Sequence, residues 1–200
     1  MADLGTLRPG AENTTGLPLA AGTIIDAPGA STALSDDSDA SFDNQTSNAS
    51  GQFYYGRELA NTPGDFGSMN TLLIQFRYGW ESTPVNTVWT VLGARVVASD
   101  GSTLLANGGS TDNWQSVASE ITTATPTTSA VVAFATVNTT ATQGDWDGAS
   151  LQIWWVRTRS KGGDALGCRV YEAWVTGTYT TSAGGPAPLD PFGIRGFFGS

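Results

Sequence analysis

Histidine is absent from this 200-residue chain, and cysteine and lysine occur once each. Each scarcity closes a class of chemistry. Without an imidazole, no side chain titrates unperturbed near neutrality, so Ser-His-Asp and Cys-His nucleophile systems and His-ligated zinc are excluded. The single Cys168 forms no internal disulfide, and between Gly167 and Arg169 it reads as a small buried hydrophobe. Charge is also scarce: 14% of residues carry it, nine Lys plus Arg against eighteen Asp plus Glu, for a net charge of −9. A surface of that sign does not neutralise phosphate, so neither nucleic acid nor an anionic membrane is an expected partner. There is no basic N-terminal region leading into an apolar run and no stretch long enough to cross a bilayer. The expectation is a protein without a signal peptide, made in a cytoplasm. GxSxG, P-loop, GxGxxG and Cys-x-x-Cys patterns do not occur.

What is present is 25 Gly, 27 Thr, 18 Ser and seven Trp, with few of the Glu, Lys, Leu and Met that fill helices. This is an all-β composition, suited to strands with one buried face and one hydroxyl-bearing face. Residues 1–50 are poor in large apolar side chains and hold seven acids (Asp3, Glu12, Asp26, Asp36, Asp37, Asp39, Asp43) against Arg8. They read as an acidic, partly extended N-terminal arm with one or two short edge strands near Ile24-Ile25 and Phe42.

Residues 51–180 carry short apolar runs separated by turn residues, the spacing of an antiparallel β-sandwich or jelly roll. Leu72, Ile74, Phe76 and Tyr78 alternate with Leu73, Gln75, Arg77 and Gly79, the clearest period-two strand in the chain. Residues 88–98 and 102–106 flank Asp100-Gly101, a strong hairpin signal. The nearly unbroken apolar run of residues 131–137 reads as a central strand. Leu151, Ile153 and Trp155 alternate with Gln152 and Trp154, so one indole of the Trp154-Trp155 pair points inward and the other outward. In the last strand either Val170, Glu172 and Trp174 or Tyr171, Ala173 and Val175 face the core, and the charge of Glu172 favours the second set.

Residues 181–200 begin as a Gly/Pro-rich linker and end in a peptide carrying Phe192, Ile194, Phe197 and Phe198. So short a peptide cannot bury these side chains alone. It either folds back on the sandwich or anchors in a groove of a partner or neighbouring copy.

Catalytic and metal readings are weak. Asp145-Trp146-Asp147-Gly148 holds two carboxylates at a spacing a glycosidase pair could use, yet Asp-x-Asp-Gly is first of all a turn. Asp36, Asp37, Asp39 and Asp43 offer oxygens to a hard cation but lack the glycine and distal glutamate of an EF-hand loop, so a solvated acidic bend is the better account. No cofactor, metal site or catalytic residue is expected. The tryptophans, Trp154 and Trp155 first among them, are candidates for glycan stacking or for an interface between proteins.

Four features occur in a set order: an acidic segment Leu34-Ser-Asp-Asp-Ser-Asp-Ala-Ser-Phe42, an Ile74-Gln-Phe-Arg-Tyr78 strand, a Ser99-Asp-Gly-Ser hairpin and an Arg169-Val-Tyr-Glu-Ala-Trp-Val-Thr-Gly-Thr-Tyr179 strand. In this the chain resembles virion structural proteins of tailed bacteriophages, of the minor tail, head-decoration or fibre type. The resemblance covers roughly residues 20–180, leaves out the Phe-rich peptide and brings no catalytic residues. It implies a non-enzymatic module, located in the virion, that assembles as a homo-oligomer with other capsid or tail proteins and is attached through its N- or C-terminal arm. The alternative is a carbohydrate-binding or host-adsorption module using exposed tryptophans. Acidity gathered in residues 1–50 leaves the sandwich nearly neutral, which suits self-assembly.

Overall fold

The computed structural model describes residues 1–13, 43–45, 51–80, 87–109, 114–118, 125–159 and 168–182. Strands β1 (Ala2–Leu7), β2 (Pro9–Glu12) and β3 (Asp43–Gln45) precede the long strands β4 (Gly51–Leu59), β5 (Phe66–Trp80) and β6 (Thr87–Val97). Short pieces follow: β7 (Leu104–Asn107), β8 (Gln115–Ala118), β9 (Thr127–Thr128), β10 (Val132–Ala133) and β11 (Thr136–Val137). A single helical turn, α1 (Gln143–Trp146), leads into β12 (Ser150–Arg159) and β13 (Cys168–Thr181).

The strands form two antiparallel sheets packed as a sandwich. The first runs β1-β13-β5-β10, with β3 also on β13 and β9 also on β5. The second runs β11-β7-β6-β12-β4-β2, with β8 also on β6. Period-two alternation places the core as the sequence predicts. Leu72, Ile74 and Phe76 of β5 face Leu92, Ala94 and Val96 of β6 and Leu151, Ile153 and Trp155 of β12, all essentially inaccessible to water. The Asp100-Gly101 turn joins β6 to β7. Gly101 takes a left-handed φ of 74°, and the Asp100 carboxylate accepts the backbone N–H groups of Ser102 (2.8 Å) and Thr103 (2.9 Å).

The last strand resolves its two possible phases with a bulge. Val170 pairs with Tyr78 and Glu172 with Arg77, so Tyr171 is an extra residue on β13. Val170 packs in the core on one side of the bulge, and Ala173, Val175 and Tyr179 do so on the other. Glu172 is thereby kept out of the apolar core.

Two expectations are revised. Residues 131–137 do not form a central strand: Val132-Ala133 pairs with β5 in the first sheet, Thr136-Val137 pairs with β7 in the second, and Val131 is 56% exposed. The apolar run crosses between layers, pegged by buried Phe134, whose N–H bonds the Leu72 carbonyl at 3.0 Å. A segment that touches both layers satisfies a nearly unbroken apolar pattern as well as a central strand does. Residues 1–12 likewise do not stand off as an arm. β1 pairs with β13 and β2 with β4, burying Leu4 and Leu7. One segment that switches sheets thus lines each lateral side of the sandwich, residues 2–12 on one side and 132–137 on the other, with β3 beside β1 on β13 and β9 beside β10 on β5. Ile24, Ile25, Phe42 and the Cys168 side chain lie outside the described residues.

Candidate interaction surface

The outward positions of the second sheet gather an aromatic cluster. Tyr54 of β4 stands opposite Trp154 of β12 in the ladder, Trp154 stands opposite Gly93 of β6, and Gln152 stands opposite Arg95. Gly93 makes room for the indole, since a Cβ there would lie 3.0 Å from the Trp154 ring. Trp114, just before β8, closes over the group. Its ring stacks on Trp154 (centroids 5.7 Å, 25°) and tilts against Tyr54 (5.5 Å, 35°). The Arg95 guanidinium lies over Trp114 at 4.5 Å, and its Nε donates to the Gln152 amide oxygen at 2.7 Å. Burial under this roof lowers the Arg95 pKa, with Tyr54 opposing the shift. Gly108 approaches Trp114 closely: a Cβ there would sit 2.0 Å from the Trp114 carbonyl oxygen.

Of the two adjacent indoles, Trp155 belongs to the core at 0% exposure, so it is no candidate for glycan or partner contact. Trp154 is half-buried on the outer face and stays a candidate. Trp114, one of the candidate tryptophans, joins it together with Tyr54 and Arg95, which sequence reasoning missed because they meet it only through strand pairing. A glycine directly opposite a tryptophan was the one sequence signal, legible once the register is known. Phe192, Ile194, Phe197 and Phe198 lie outside the described residues, as do Asp36, Asp37 and Asp39. No three Asp, Glu or Cys side chains gather as metal ligands among the described residues.

The Asp145/Asp147 pair is engaged in local structure. Asp145 accepts both the backbone N–H and the hydroxyl of Thr142 at 2.7 Å, which starts α1. Asp147 accepts the N–H and hydroxyl of Thr62 at 2.8 Å, while Trp146 between them is buried. Asp145 lies in α1 and Asp147 caps its end in an extended conformation, with Gly148 following at φ +74°.

The outer face of the first sheet is different in kind. Thr6, Thr71, Thr176 and Thr178, with Asp3, surround Leu73 in an open depression of about 340 Å³. The Thr71 and Thr178 hydroxyls bond each other at 2.8 Å. Farther along, Glu172 is buried under Arg8, which bonds it at 2.8 Å and lies over Trp174 at 5.2 Å. Among the described residues no helix is long and apolar enough to cross a membrane. No protein-family model matches the chain, and no curated protein matches it significantly.

Proposed function

We propose that the chain is a non-enzymatic virion structural protein of a tailed bacteriophage, a capsid-decoration or minor tail or fibre component that assembles in copies on the particle surface. The observation that carries this reading is how the acids are used. Asp100, Asp145, Asp147 and Glu172 each hold a turn or a strand in place, on a two-sheet scaffold whose outer faces bear hydroxyls and one aromatic cluster. Such a molecule is suited to packing and presentation. Its ordering of strand and hairpin segments, similar to that of tailed-phage virion proteins, supports the same reading.

Attachment is assigned to Phe192, Ile194, Phe197 and Phe198. Particles made with the chain truncated before Leu189 should lack the protein, while the truncated protein itself keeps its β-rich circular dichroism and cooperative melt. Normal incorporation of the truncated chain would remove the C-terminal anchor and leave attachment to the N-terminal region.

The half-buried Trp154 beside Trp114 and Arg95 favours one second reading, a carbohydrate-binding role at the host surface. Saturable binding on a glycan array, lost in Trp154→Ala, would support it; an array without saturable binding removes it.

A further inference from the structure

Residues 1–13 join the sandwich only at its edges. β1 and β2 add an edge strand to each sheet, while the sheets' interior pairings are made among β4, β5, β6, β7, β12 and β13. The seat for this segment is specific. Leu4 and Leu7 fill the core edge, and Gly5 adopts φ +68°, its N–H bonded to the Asp3 carboxylate at 2.8 Å, where the β1–β13 register shifts.

Two charges of the body are covered by the segment. Glu172, 2% exposed, receives Arg8, and Arg57, also 2% exposed, donates to the Gly10 carbonyl at 3.0 Å. At the far end the Asn13 N–H bonds the Gly56 carbonyl at 2.9 Å, and its own carbonyl occupies the space a Cβ on Gly56 would take. Buried charged contacts of this kind add little net stability over apolar packing but select one register and one partner.

We propose that this groove is a strand-acceptor site for residues 1–13 of a second copy, so that neighbouring copies are joined by reciprocal exchange of the segment. Three observations support a second copy as the occupant. The contacts just named lie between residues 1–13 and the body, so another copy's segment makes them equally well, which is the condition for exchange at low cost. The segment connects to Asp43 through residues 14–42, rich in Gly, Ala, Ser, Thr and Asp, whose covalent reach is on the order of 100 Å, enough to span to a neighbour. The segment presents apolar pegs and a cation, and the groove presents an apolar edge and an anion, so the pair is self-complementary, as a two-fold exchange requires. The proposal goes beyond the virion reading and does not depend on where assembled copies sit.

Light scattering on the purified full-length chain at high concentration tests it. A dimer or larger species is expected, and Arg8→Glu or Glu172→Arg alone should leave its affinity little changed, since the closed and exchanged forms lose the same contact. Co-expression of the Arg8→Glu chain with the Glu172→Arg chain should instead drive a mixed dimer in preference to either homodimer, because each segment then meets its matching groove only in the other chain. Two results overturn the proposal: a chain monomeric at every concentration, or co-expressed chains that form no more mixed dimer than random pairing gives. Both substitutions placed in one chain report whether the reversed pair folds.

Discussion

At the residue scale, the side chains that carry charge show what the chain uses charge for. Asp100 accepts two backbone N–H groups and the Thr103 hydroxyl at 2.7 Å, bonds that favour the ionised form and lower its pKa to about 2. A carboxylate depressed in the folded state contributes stability above its unfolded value of about 3.9, and that contribution is lost as pH falls toward 2. Asp100→Ala should therefore be less stable than the unsubstituted chain at pH 6, with the difference shrinking on titration from pH 4 to pH 2. Denaturant unfolding at a series of pH values measures it, and a pH-independent difference would assign the effect to the turn's packing instead. Tyr179 adds a second local tie. Its hydroxyl bonds Asp65 at 2.7 Å, which raises its pKa, and its ring stacks on Phe66 at 5.5 Å.

At the element scale, the alternation of β5 and β12 was legible because side-chain direction in a strand follows from position parity alone. The same parity predicted one inward and one outward indole at Trp154-Trp155. Parity failed where an extra residue entered or the chain changed layers. The Tyr171 bulge lets β13 serve the core with Val170 before it and with Ala173 after it, a phase change that no count along the chain foresees. Residues 131–137 have the composition of a central strand, yet they bridge two edges.

Close approach is equally hidden from composition. Gly56 and Gly64 look alike in sequence, but a Cβ on Gly56 would lie 2.0 Å from the Asn13 carbonyl and one on Gly64 would meet nothing within 4 Å. Gly56→Ala should cost about 1–3 kcal/mol, the range for forced overpacking, whereas Gly64→Ala should be near neutral. Urea unfolding of the two variants measures this, and equal stabilities would mean that residues 1–13 do not press on β4.

At the scale of the whole molecule, closure is the governing feature. Open sheet edges invite pairing with other chains, and here both lateral sides are covered by segments that switch layers. On one side the cover is built from the acidic N-terminal stretch, whose first residues looked too polar to join a core. Leu4, Leu7 and Arg8 suffice because each meets a site prepared by strands far away in sequence, with Arg8 and Glu172 separated by 164 positions. By itself the sequence determined the all-β class, the inward residues of the long strands, the Asp100-Gly101 hairpin and the turn character of Asp145 to Gly148, all of which depend on neighbours a few residues apart. Only the tertiary structure decided which strands share a sheet, that Trp114, Tyr54 and Arg95 meet at Trp154, and that Glu172 is buried under Arg8. Those are pairings between distant parts of the chain, and their free energy exists only once both partners have been brought to the same place.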